Sequence, residues 1–213
     1  MKMGILLISA LVLWTGVPGA SAGTLQFELN NSEIEKFQFF AAIEATRNGL
    51  TQEERQLIVS SDAYENGDVY YLTGNLTDEW TNNEWDSYYG IAKWLVQAHF
   101  RVIMNPFSSE LEVREAVQNP RVTAIIWSSH GDQEGQIFDA NKTVLPRDVF
   151  SSGVSPNLRQ IILSNCYGEA TVKYYSMPKN VYIKHWTGIT NSKELFDYLV
   201  SDSWNKDLGL VEI

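Results

Sequence analysis

The chain has 213 residues, is 44% hydrophobic and 20% charged, and carries 16 Lys+Arg against 26 Asp+Glu, a formal charge of −10. That balance excludes disorder, collagen and coiled coil as the main content. The acidic surplus opposes binding to nucleic acid or to an anionic membrane face, and no basic run offsets it. A single cysteine excludes an intrachain disulfide framework and cysteine-rich zinc modules.

Lys2 gives a short positive start, and Ile5 to Trp14 is apolar apart from Ser9. Ala20-Ser21-Ala22 follows, the small-x-small pattern of a signal-peptidase site. The apolar run is about half of the roughly 18 residues that a spanning helix needs. Residues 1–22 therefore read as a cleaved leader. The expectation is an exported protein with no stable membrane anchor after cleavage, whose remaining length suits one domain. In an oxidising compartment its lone thiol is paired with another chain, buried and inert, or chemically active.

Ser32-Glu33-Ile34-Glu35 has the capping-box pattern and predicts a helix that stops near Gly49. Thr51-Gln52-Glu53-Glu54 repeats it and predicts a short second helix reaching toward Ile58. Residues 23–65 thus read as a helical N-terminal extension. The rhythm changes after the Asn66-Gly67-Asp68 turn. Val69 to Gly74 predicts a buried strand ending in a loop, and Trp85 to Phe100 a helix with Tyr88, Ile91, Ala92, Leu95 and His99 on one face. Arg101 to Met104 is a short strand, Ser109 caps a helix that Pro120 ends, and Val122 to Trp127 is the next strand. Gly135–Phe138 and Thr143–Leu145 read as hairpin arms. Ile161 to Leu163 and Val181 to Trp186 complete the strands, and Asn191 caps a last helix running to about Trp204.

Continuous apolar strands alternating with helices of ten or more residues predict an α/β domain, three layers in α/β/α order, with a mainly parallel central sheet and a small inserted hairpin. In such sheets reactive groups gather at the carboxyl ends of the strands. Two ends here carry a nucleophile or a base. One strand runs into Ser128-Ser129-His130-Gly131-Asp132, another into Ser164-Asn165-Cys166-Tyr167-Gly168. On a parallel pair, the His130 imidazole can take the Cys166 proton and, once charged, stabilise the thiolate. Gly131 lets a substrate carbonyl approach the backbone, and its N–H is a candidate oxyanion donor.

An apolar strand ending in His-Gly, followed by an apolar strand ending in a small or polar residue and Cys, resembles the caspase-like cysteine peptidases, a group with legumains, gingipains, clostripain and metacaspases. Ser129 to Ile137 is similar to the caspase stretch of Ser-His-Gly, acidic residues, Gly and a hairpin strand. Leu163 to Gly168 is similar to the caspase Cys strand, including the Gly two residues after the Cys. The resemblance covers about Val69 to Trp204 and implies that residues 66–213 form a caspase-like catalytic domain. It further implies a secreted cysteine endopeptidase acting on protein or peptide substrates. His130 would be the general acid/base and Cys166 the nucleophile, with the backbone N–H groups of Gly131 and Cys166 stabilising the oxyanion. No cofactor is called for, and no spacing of His with carboxylates suggests a metal site. Ser164-Asn165 stands where true caspases have Gln-Ala, so recognition of Asp does not carry over.

A second class also fits the sequence: a non-proteolytic caspase-fold binding or scaffold protein. His99 and His185 read as structural. Asp78, Glu79 and Glu84 follow the first strand of the main domain, whose exit loop helps to wall the substrate pocket in this family. One of them facing the pocket would favour a basic substrate side chain. The N-terminal helices read either as an extra layer on the sheet or as a prosegment over the active-site edge.

Overall fold

The structure, a computed structural model, describes residues 25–28, 33–47, 56–60, 64–76 and 82–208. The leader segment, and most of the segment expected as a second helix, lie outside the described residues. Among the described residues seven strands form one sheet, β1 (Leu25–Glu28), β2 (Leu57–Ser60), β3 (Asp68–Thr73), β4 (Arg101–Asn105), β5 (Val122–Ser128), β6 (Gln160–Ser164) and β7 (Tyr182–His185). Their order across the sheet is β1-β2-β4-β3-β5-β6-β7. β4, β3, β5, β6 and β7 are mutually parallel, and β2 joins β4 antiparallel. Among the described residues six helices cover it: α1 (Glu33–Arg47), α2 (Asn82–Gln97), α3 (Glu110–Gln118), α4 (Gly168–Tyr174), α5 (Ser192–Leu199) and α6 (Asp202–Leu208). This is the expected three-layer α/β/α sandwich with a mainly parallel sheet.

Alternation along the strands divides the core into two layers. Val69 and Tyr71 of β3, Ala124 and Ile126 of β5 and Ile162 of β6 pack with α1, α2, α5 and α6. Tyr70, Leu72, Ile125, Trp127, Ile161 and Leu163 pack on the other face, with α3 and the loops flanking α4. Both faces of the central strands are therefore apolar, which is why β3, β5 and β6 read as unbroken hydrophobic runs. α3 begins at the capping box predicted for Ser109, whose partner is Glu112, and α5 at a second one between Asn191 and Glu194.

The chain leaves β3 through α2 to reach β4 on one side, then returns through α3 to β5 on the other side of β3. α2 and α3 lie on opposite faces. The carboxyl ends of β3 and β5 thus diverge at a switch point, the place where an open α/β sheet leaves a crevice.

Several elements depart from expectation. Ile58 lies in a strand, β2, because Leu57 and Val59 bury into the same core as Val69 and Tyr71. The helical pattern at Thr51 carried no information about that tertiary pairing. Residues 23–65 are accordingly not a purely helical extension: β1 and β2 continue the sheet, and Phe39 and Ile43 of α1 are fully buried in its core. The last helix is broken at Val200-Ser201, where the Ser201 hydroxyl bonds back to the Tyr198 carbonyl at 2.6 Å. α4, which begins two residues after Cys166, has no counterpart among the elements expected from the sequence. The hairpin expected at 135–145 is present as two isolated antiparallel bridges, Gly131 with Ile137 and Phe138 with Val144.

Buried side-chain hydroxyls pin this architecture. Tyr175, just past α4, accepts from the Ile137 N–H at 3.2 Å and lies 3.2 Å from the Leu145 carbonyl, fixing both arms of the insertion. Tyr70 accepts from the Asn119 side chain. Burial pushes both phenols up to about 12. An unfolded tyrosine ionises near pH 10, so above that pH the unfolded state binds fewer protons and stability falls as pH rises. The stabilisation is complete below about pH 10 and is lost between about 10 and 12, by up to about 1.4 kcal/mol per pH unit for each phenol. Denaturant midpoints measured from pH 8 to 12 should show this drop, and Tyr70→Phe should make it shallower by the share of one phenol. An unchanged slope in Tyr70→Phe would refute the assignment.

Candidate active site

His130 and Cys166 occupy equivalent positions on neighbouring strands. Ser128 of β5 is the register partner of Ser164 of β6, and each is the last residue of its strand. Two residues beyond each stand His130 and Cys166. The main chains stay together past the ladder, with the Ser129 N–H donating to the Ser164 carbonyl at 3.4 Å. The His130 N–H donates to the Asn75 carbonyl at 2.9 Å, which ties the imidazole-bearing loop to the exit of β3. Both residues line one cleft of about 390 Å³, walled also by Tyr71, Leu76, Tyr88 and the 189–192 segment. His130 is exposed and Cys166 half-buried as a free thiol.

The Cys166 turn is tightly specified. Tyr167 sits in the left-handed region at φ 57°, a conformation costly for a bulky residue unless its surroundings enforce it. Here its N–H donates to the Gly188 carbonyl at 2.6 Å, and its own carbonyl accepts from Ala170 as α4 begins. Cys166 is consequently held at the apex between β6 and α4. Its carbonyl accepts from Asn165 Nδ2 at 2.9 Å, and that amide also reaches the Thr171 hydroxyl at 2.9 Å. Asn165 is buried, and its Oδ1 has no partner among the described residues.

Gly131 closes the other side. A Cβ at this position would stand 2.5 Å from the Cys166 carbonyl oxygen and 2.7 Å from Asn165 Nδ2. Only glycine fits so close to the opposing turn. Among the described residues neither the Gly131 nor the Cys166 N–H donates a backbone hydrogen bond. These are the two groups expected as oxyanion donors, and an uncommitted N–H is what such a donor requires.

The remaining candidates fall elsewhere. His99 is not on the apolar face of α2. It is exposed just past the helix at φ 61°, with Nδ1 3.4 Å from Glu65 Oε2. His185 is half-buried on β7, its Cβ position crowding Gly168, and its buried Nδ1 has no partner among the described residues. Neither lines the cleft with Cys166. Asp78 and Glu79 lie outside the described residues, as does the side chain of Glu84. Among the described residues no group of three His, Cys, Asp or Glu could hold a metal, and no helix is long and apolar enough to cross a membrane.

Sequence reasoning missed Asn165, Ser128 and Ser164 as parts of the site. The signal was present in the matched spacing, Ser-x-His and Ser-x-Cys at two apolar strand ends. It becomes legible only once those strands are known to be neighbours in this register.

No protein-family model matches the chain, and no curated protein matches it in sequence. The site stands on its own geometry.

Proposed function

We propose that the chain is a cysteine endopeptidase of the caspase-like group, exported by its N-terminal leader, with Cys166 as nucleophile and His130 as general acid/base. One observation carries this reading: His130 and Cys166 lie two residues past a register pair on adjacent parallel strands, and both open into the same cleft. The Cys166 thiol gives its proton to His130 and its sulfur attacks the substrate carbonyl. Negative charge then develops on the carbonyl oxygen, where the N–H groups of Gly131 and Cys166 receive it. Collapse expels the amine, which takes the proton from His130 and leaves an acyl-cysteine. Water, deprotonated by His130, hydrolyses that thioester and restores the thiol.

The test is covalent labelling. A panel of peptidyl acyloxymethyl ketones should modify Cys166 of the full chain stoichiometrically, as located by peptide mass mapping, and much faster than it modifies an unfolded control. His130→Ala should slow labelling substantially. Labelling no faster than in the unfolded chain, with no cleavage of any peptide library, would place the protein in the binding or scaffold class.

A further inference from the structure

Ser128 and Ser164 line the cleft side by side, and Thr73 continues their row on the neighbouring strand. Thr73 is the register partner of Ser128, and Ser128 of Ser164, so the last rung of three adjacent parallel strands presents Thr, Ser, Ser on a single face. It is the face covered by α2 and α5, because Tyr71, Ile126 and Ile162, each two residues earlier, pack there. Thr73 is committed, its hydroxyl hydrogen-bonded to that of Tyr88. The Ser128 and Ser164 hydroxyls have no hydrogen-bond partner among the described residues, and both residues line the cleft. Among the described residues the walls carry no carboxylate, ammonium or guanidinium.

Resting on the peptidase reading, we infer that this hydroxyl floor receives the substrate side chain next to the scissile bond, and that it selects an uncharged, hydrogen-bonding side chain. A carboxylate, ammonium or guanidinium entering here would lose its hydration and, among the described residues, meet no charge beyond the His130–Cys166 pair, a penalty that hydroxyl dipoles offset only in part. An aliphatic side chain would strip water from two hydroxyls and leave them unpaired. An amide or hydroxyl satisfies both, while its carbon atoms lie against Tyr71 and Leu76.

Binding can be read without turnover, by fluorescence anisotropy of labelled hexapeptides on the full-length Cys166→Ala chain. Four peptides differ only at the position before the scissile bond: Gln, norleucine, Lys or Asp. The Gln peptide should bind about tenfold or more tighter than the Lys and Asp peptides, and tighter than norleucine. Adding Ser128→Ala and Ser164→Ala should weaken Gln about tenfold and tighten norleucine, whose binding no longer leaves two hydroxyls unpaired. If that variant loses its circular dichroism signal, the four-peptide ranking decides alone. Tightest binding of Lys or Asp, no ranking, or no binding overturns the inference. Cleavage by the wild-type chain mainly after Lys or Asp would overturn it too, while leaving the peptidase reading intact. The predicted ranking without cleavage or labelling by the wild type would sink the peptidase reading and keep the pocket's selectivity.

Discussion

Cys166→Ala is expected to abolish peptide cleavage, and His130→Ala to lower kcat/KM by about 10² to 10⁴, the usual worth of general acid–base assistance. His185→Ala and His99→Ala should leave cleavage within a few-fold of wild type. The contrast follows from placement. His130 is exposed in the cleft that Cys166 lines, whereas His185 lies on the edge strand behind α4 and His99 on a turn beside Glu65. Among the described residues His130 is held through its backbone, its N–H donating to the Asn75 carbonyl and its carbonyl accepting from the Ser129 hydroxyl, so loss of its imidazole breaks no hydrogen bond there. Its variant should therefore fold normally, and circular dichroism with a denaturant midpoint checks this. Full activity in His130→Ala would remove His130 from the chemistry. Equal losses from His185→Ala would mean that the wrong strand end has been assigned.

The parts of this architecture that the sequence made legible are those fixed by local physics. Apolar runs buried on both faces marked β3, β5 and β6, and the cap residues Ser109 and Asn191 marked the starts of α3 and α5 within a residue. The parts that were not legible depend on partners distant in sequence. β2 is four residues long and becomes a strand because Met104, Ile103 and Val102 of β4 pair with it. α4 begins at Gly168 directly after a left-handed Tyr167, and no cap side chain announces it. For the site, His130 and Cys166 were visible as reactive types at strand ends. Their equivalence in register, and the serines beneath them, were not, because the pairing of β5 with β6 is a tertiary fact. Removal of residues before Asn66 would take Phe39, Ile43, Leu57 and Val59 out of the core. None of the described residues before Asn66 lines the cleft, which agrees with a structural layer more than with a prosegment.

Gly131→Ala should separate the two halves of the site without removing either reactive group. The added methyl would lie 2.5 Å from the Cys166 carbonyl oxygen and 2.7 Å from Asn165 Nδ2, both far inside van der Waals contact. Neither neighbour yields easily. The Cys166 carbonyl belongs to a turn fixed by the Gly188 carbonyl and by α4, and the Asn165 amide is buried between Cys166 and Thr171. Overpacking of this kind typically costs about 1–3 kcal/mol, which the chain relieves by spreading the loops after β5 and β6. A shift of about 1 Å between reacting groups is enough to lower kcat by roughly 10². KM should change much less, because the hydroxyl floor lies one rung below the disturbance. Asn165→Ala in the Gly131→Ala background removes the contact with Nδ2 but leaves that with the carbonyl oxygen, so it should recover only part of the loss. Steady-state kinetics on the two variants, with iodoacetamide alkylation of Cys166 as a parallel readout, decides the matter. Wild-type kcat in Gly131→Ala would show that the close approach of the two turns plays no part in catalysis.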